Sequence, residues 1–437
     1  MNVCIFTVYK PGDHKDFNGG YGTTFDVGKS LPSKVLMKIR SNFEYLPVLT
    51  HGYLAALLKD NVENLNLKYY ENEIPEKMDY VFLHASLIRH NEEIKKLQEY
   101  KAKYPEAKTI IYGPLATSIA KDYEGKVDII FKADIENLFN KFNSLDEIPL
   151  GITDLGQIDS LESLPFPDWS PFPYKKFKQY PIMKKNPIFM VLGSKSCPYK
   201  CNYCPYISND SQYRFRSAPH VIEELVYLKK NFGARSILFR DPVFSMKKKW
   251  VLDLCNMMID QKLDLEWTCE TRLDRMDEEL VDKMAEAGMT SIKVGVESFN
   301  HELLKKYDRV PPQKDRQERL IKYMEDKGVQ VVAFYVIGLP DDTHSSVNET
   351  IEYSKELNTS YANFTICTPI PGTGFYETVK DKINDHNLEH YNNFNPVFET
   401  NHLTKDDIVK YKEQAISSYY FRFKYLSKQM RNFISLR

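Results

Sequence analysis

At 437 residues the chain is too long for one ordinary hydrophobic core, so two domains with a terminal extension are expected. Its 59 Lys and Arg against 60 Asp and Glu leave a formal charge of −1, which provides no electrostatic footprint for nucleic acid or an anionic membrane surface. No run reaches the ~18 apolar residues of a spanning helix, and no charged segment leads into an apolar run with a cleavage site, so a cytoplasmic protein without a membrane span is expected.

In chain order, "MNVCIFTVY" reads as a strand, "VLTHGYLAALLKDN" as a helix, "NLNLKYYE" and "MDYVFLHAS" as strands, "NEEIKKLQEYKAKYP" as a helix, and "AKTIIYG" and "VDIIFKA" as strands. This alternation over residues 1–150 predicts an open, Rossmann-like α/β domain whose ligands lie beyond the strand carboxyl ends. No G-x-G-x-x-G follows the first strand, which argues against a standard dinucleotide site. The glycine-rich "NGGYGT" (18–23) reads either as a flexible turn or as a phosphate cradle. Residues 151–185 are dense in proline and aromatics and poor in Gly/Ser, as an ordered connector across a domain interface would be.

After the apolar run "IFMVLG", Cys197, Cys201 and Cys204 fall in a C-x3-C-x2-C arrangement, while Cys4, Cys255, Cys269 and Cys367 are scattered. An odd count of seven does not look like a disulfide framework. Structural zinc wants four closed ligands, and His220, the nearest further candidate, lies sixteen residues beyond Cys204. Three thiolates on a cubane iron-sulfur cluster leave one iron open to a substrate or cofactor. Downstream, "RSILFR", "LEWTCETR", "SIKVGVES", "VVAFYVIG" and "YANFTICTP" add five strands to "IFMVLG", with amphipathic helices such as "APHVIEELVYLKKNFG" and "DEELVDKMAEAG" between them. Six β/α units predict a partial TIM barrel over 186–385 with its chemistry at the strand carboxyl ends. Residues 386–437 are expected to form a helical extension, with "LTKDDIVKYKEQAISSYYFRFKYL" as one helix capped by Thr404 and its Tyr and Phe residues packed on the barrel.

These motifs together resemble the radical S-adenosylmethionine (radical SAM) superfamily over about 186–380. "CPYKCNYC" is similar to its cluster loop, "FRDPVF" to the segment that contacts the methionyl end of the cofactor, and "CETRLD", "VGVESF", "VIGLPDDT" and "TPIPGTGFYE" to later strand ends. The resemblance implies a 4Fe-4S cluster held by Cys197, Cys201 and Cys204, with the open iron chelating S-adenosyl-L-methionine. It places Tyr203, Arg240, Asp241, Pro242, Arg272, Glu297 and Gly338 near that cofactor. Arg272 and Glu297 also admit a reading as a buried ion pair positioning two strands, and Gly338 to Pro340 one as a simple strand-ending turn. The first 150 residues resemble the cobalamin-binding-type domain of the large B12-binding radical SAM class through "HGYLAALL", "MDYVFLHAS", "IIYGPLAT" and the "FPDWSPFP" linker. That likeness implies cobalamin near Ser86, Gly113 and Thr117, although the Asp-x-His-x-x-Gly element that supplies an axial histidine elsewhere is absent.

The resemblance implies an enzyme that methylates an unactivated carbon by way of a 5′-deoxyadenosyl radical and methylcobalamin. An alternative is radical cyclisation, oxidation or ring rearrangement with cobalamin in another role or absent; from a different class, a non-catalytic iron-sulfur electron carrier. The expected partners are a small-molecule or lipid substrate and an external one-electron reductant such as flavodoxin or ferredoxin. No cysteine group follows Cys367 and none forms an N-terminal trio, so auxiliary clusters and sulfur insertion are not expected.

Overall fold

A computed structural model describes residues 1–24, 28, 34, 37–38, 43–207 and 212–434, with side chains to 430. Two parallel sheets organise it. The N-terminal sheet contains β1 (Asn2–Thr7), β2 (Asn66–Glu71), β3 (Tyr80–His84), β4 (Lys108–Tyr112), β5 (Ile129–Lys132) and β6 (Gly151–Asp154), in the order β2-β1-β3-β4-β5-β6. All its pairings are parallel. Val3, Ile5, Val81, Phe82, Ile110 and Ile111 are fully buried, as strands covered by helices on both faces require. The crossover helices α1 (Leu49–Asn61) and α2 (His90–Lys103) supply much of that cover. Strand β6 lies in the stretch expected to be connector. Its sequence, "GITD", is too short to carry a period, and its pairing with β5 defines it.

The second sheet runs strictly in chain order: β7 (Ile188–Val191), β8 (Ser236–Phe239), β9 (Glu266–Thr271), β10 (Met289–Glu297), β11 (Gln330–Ile337) and β12 (Tyr361–Ile366). Parallel neighbours in sequential order, with helices between them, make the expected six-unit partial barrel. Helix α3 (Ala218–Phe232) ends as its sequence predicts, with Gly233 at φ 67° and its N–H shared between the Leu228 and Lys229 carbonyls. A bulge at Gly295/Glu297 breaks the β10–β11 register at the mouth.

One continuous core joins the two sheets through the connector. Trp169 packs edge-on to Phe177 at 5.6 Å and near Phe189 of β7 at 6.0 Å. On its other side helix α1 passes so closely that a Cβ at Gly52 would stand 2.9 Å from the Trp169 ring, which explains a glycine inside a helix. The C-terminal extension corrects the expectation of one helix. Helix α4 (Lys405–Tyr420) begins with a Thr404/Asp407 capping box, stops at Phe421, and is followed by α5 (Phe423–Ile434). The hydroxyls of Tyr419, Tyr420 and Tyr425 donate to the carbonyls of Thr359, Ala362 and Ser360. Residues 420 and 425 are about 140° apart on a straight helix, so the break lets both reach one strand. Phe421 and Phe423 are left 54% and 83% exposed, contrary to the expectation that they pack on the barrel. No helix among the described residues is long and apolar enough to cross a membrane.

Candidate active site

Two cavities meet where the carboxyl edges of the sheets face one another. The larger, about 620 Å³, fills the barrel mouth. The smaller, about 160 Å³, lies between that mouth and the N-terminal sheet. Pro205, Tyr206 and Pro242 line both.

The cysteine loop leaves β7 at Gly193, where a Cβ would overlap the Trp250 ring. Within it the Cys204 N–H donates to the Cys201 carbonyl at 3.0 Å, and Asn202 is held by Tyr307 and Phe375 through backbone bonds. Cys197, Cys201 and Cys204 all line the larger cavity as free thiols. Burial pushes the Cys204 thiol up to about 12 and raises Cys197 and Cys201, against which Arg272 and Arg309 pull downward. Among the described residues no three His, Cys, Asp or Glu side chains converge tightly enough for a single metal ion.

Around the thiols, Tyr203, Arg272 and Glu297 line the same cavity. The Tyr203 hydroxyl is buried without a hydrogen-bond partner. Arg272 stacks on Tyr199 at 3.9 Å and donates to Asp274 and the Val310 carbonyl, with its Nη1 4.0 Å from Cys201 Sγ. It does not form the expected alternative pair with Glu297. That role falls to Arg309, 3.5 Å from Glu297 Oε1 and 2.9 Å from the Gly295 carbonyl oxygen. Arg309 follows a short helix (His301–Lys305) outside every strand motif, so no periodicity signals it. Glu297 sits at φ 68°, an uncommon conformation for a residue with a side chain, imposed by the β10 bulge. Burial raises its carboxyl pKa, while Arg309 and then Arg272 oppose the shift.

The residues after β8 divide differently from expectation. Asp241 accepts from the Gly193 N–H at 2.9 Å and the Ser194 hydroxyl at 2.6 Å, so its carboxylate anchors the base of the cysteine loop and faces neither cavity. Arg240 points toward the N-terminal domain: it donates to Asp16 at 2.8 Å, Glu270 at 3.0 Å and the Tyr206 hydroxyl at 3.1 Å, and its guanidinium lies 4.3 Å from the Phe17 ring centre. Lys195 bridges the domains in the same way, 2.6 Å from Asp134. Only Pro242 of the three reaches the larger cavity. Gly338 lies outside it at φ 83°, with its N–H and that of Leu339 donating to Asp342, and a Cβ there would stand 3.2 Å from Ile408.

On the N-terminal side, Gly113 and Thr117 line the smaller cavity. Ser86 does not: its amide and hydroxyl are both bonded to Glu93, which is also paired with Lys15. Sequence reasoning passed over His84, which lines the cavity beside Gly113, and over Glu270 and Lys293 in the barrel mouth.

Residues 191–354 match the Radical SAM superfamily. An uncharacterized methyltransferase of Pyrococcus horikoshii is 30% identical over 277 residues, 62% of this chain and 59% of that protein. The anaerobic magnesium-protoporphyrin IX monomethyl ester cyclase of Rubrivivax gelatinosus is 23% identical over 258 residues, 58% of this chain and 45% of its own. The chain thus spans about half the length of the curated relatives it matches. The structure of the radical S-adenosylmethionine methyltransferase TsrM from Kitasatospora setae, with cobalamin and an iron-sulfur cluster bound, is similar in fold. The TM-score is 0.59 over 87% of this chain and 78% of that one, at 12% identity. Three cysteines after the first strand of a sequential parallel barrel, facing a carboxyl-end cavity, agree with the match of residues 191–354 to the Radical SAM superfamily.

Proposed function

We propose that this protein is a cobalamin-dependent radical SAM methyltransferase acting on an unactivated carbon of a small-molecule or lipid substrate. The observation that carries the proposal is the adjacency of the two cavities: the thiol-lined mouth and the N-terminal sheet edge share Pro205, Tyr206 and Pro242 as a common wall. A scaffold that generates a radical in one chamber and supplies a methyl group from the other needs that proximity. When bound, the cluster with S-adenosylmethionine supplies one-electron cleavage of a sulfonium, and cobalamin supplies the methyl group.

The residues' own tasks follow from their positions. Cys197, Cys201 and Cys204 would hold the cluster, with the charges of Arg272 and Arg309 compensating the thiolates. Because the Asp241 carboxylate and the Arg240 guanidinium are committed elsewhere, the segment 240–242 would meet the methionyl amine only through backbone carbonyls. Glu297, aimed into the mouth, would accept from the ribose hydroxyls or the methionyl amine. Tyr203 would offer its unpartnered hydroxyl to the same ligand. Gly113 and Thr117 would let a large flat cofactor approach the N-terminal sheet. The far wall, with Val332, Phe334, Ile366, Phe394 and Tyr425, is apolar and would exclude water from the radical.

The likeness to a cyclase favours a second reading, radical cyclisation or oxidation without methyl transfer. Anaerobic reconstitution with iron, sulfide and cobalamin, followed by S-adenosylmethionine and a one-electron reductant such as flavodoxin or ferredoxin, separates them. Formation of 5′-deoxyadenosine together with S-adenosylhomocysteine is expected for methyl transfer. 5′-Deoxyadenosine alone identifies the second reading, and neither product identifies an electron carrier.

A further inference from the structure

A helix docked on a core ordinarily buries its apolar stripe and leaves its polar face to solvent. Helix α5 does the reverse. It meets the barrel through Tyr425, Lys428 and Gln429. The Tyr425 hydroxyl donates to the Ser360 carbonyl at 3.0 Å and Gln429 Nε2 to the same oxygen at 3.2 Å, while Lys428 Nζ reaches the Asn358 carbonyl at 2.6 Å and Glu325 at 3.0 Å. At ~100° per residue these three share one arc of the helix, and Phe423, Leu426 and Met430 fall within about 60° of one another on the other side. Those side chains are 83%, 46% and 59% exposed. The sequence places Phe433 and Ile434 at the next positions of the same stripe.

The charge of this segment is one-sided. Residues 414–437 contain Arg422, Lys424, Lys428, Arg431 and Arg437 and no Asp or Glu, a local run that the balance over the whole chain conceals. On one flank Lys424 and Lys428 border a cleft whose acids, Glu325 among them, equal its bases in number, so the excess is that of Arg422, Arg431 and Arg437. An exposed stripe of Phe, Leu and Met on a helix with surplus bases suits the boundary between headgroups and acyl chains of an anionic bilayer. A second copy of the chain fits less well: a twofold contact sets the patch against itself, and the run has no carboxylate to meet its bases. The position agrees with a lipid surface. Tyr425 lines the large cavity from the inner side of α5, so a bilayer on the outer side would stand one helix diameter, ~10 Å, from that cavity.

We propose that α5 is an interfacial helix that seats the protein on an anionic phospholipid surface, with Phe423, Leu426 and Met430 entering the acyl boundary and the bases facing the headgroups. The contact needs no cluster, cofactor or turnover, so it stands or falls apart from the methyltransferase reading.

The test is flotation of the full-length protein with vesicles of phosphatidylcholine alone or mixed with phosphatidylglycerol, at physiological ionic strength. Flotation with the mixed vesicles is expected, several-fold stronger than with phosphatidylcholine alone. The double variant Phe423→Ser/Met430→Ser, which changes only exposed side chains, is expected to keep its urea midpoint and to lose about tenfold or more in partition coefficient. In Met430→Trp the added fluorescence is expected to be quenched by lipid brominated on its acyl chains, as a stripe lying below the headgroups requires. No flotation, flotation undiminished in the double variant, equal flotation with both kinds of vesicle, or no quenching in floated Met430→Trp protein would each overturn the assignment. A dimer in sedimentation velocity that the double variant abolishes, without flotation, would overturn it in favour of a second copy.

Discussion

Replacing Arg309 with Met tests the electrostatic design of the barrel mouth. Glu297 and Arg309 stand 3.5 Å apart with side chains only 15% and 7% exposed. At an effective dielectric of about 20 their attraction is ~5 kcal/mol, and removing one partner of a buried pair costs about 3–5 kcal/mol. The variant also loses the hydrogen bond to the Gly295 carbonyl, worth about 1.5–3 kcal/mol for a charged donor, and this loss does not depend on Glu297's charge. Burial holds the folded pKa of Glu297 above its unfolded value, so its favourable contribution is full at low pH and is lost as pH rises through the folded pKa. Without Arg309 that pKa rises further. The destabilisation is therefore about 1.5–3 kcal/mol below pH 4.5 and ~3–5 kcal/mol or more at pH 8. Urea unfolding of paired apo-proteins, followed through Trp250 and Trp267 of the barrel, measures it. A loss of the same size at both pH values would refute the reasoning.

Serine at Cys197, Cys201 or Cys204 is expected to drop bound iron well below the about four atoms of a cubane while leaving the apo-protein's urea midpoint within error, as iron assay and unfolding will show. Gly338→Ala forces a side chain into a positive-φ turn against Ile408. It should cost about 1–3 kcal/mol of stability with no change in S-adenosylmethionine affinity, whereas a selective loss of affinity would return Gly338 to the cofactor site.

The sequence announced what local chemistry and periodicity carry. The three cysteines, the apolar strands and Gly233 as a helix stop all had local signals, and each stands where expected. What escaped depends on partners distant in sequence. Asp241 and Arg240 adjoin in the chain, yet one turns to Gly193 and the other crosses to Asp16, a division that no one-dimensional motif encodes. Arg309 reaches Glu297 from a loop, so spacing along strands could not find it. Strand β6 exists because β5 offers it an edge, and the break at Phe421 exists because three tyrosines share one strand end.

The most direct test of the central claim is S-adenosylmethionine cleavage by the anaerobically reconstituted protein under a low-potential reductant, measured as 5′-deoxyadenosine per chain alongside iron content. The account predicts that 5′-deoxyadenosine forms once about four irons are bound and disappears in Cys201→Ser. Full iron occupancy with no cleavage, or cleavage undiminished in that variant, would contradict it.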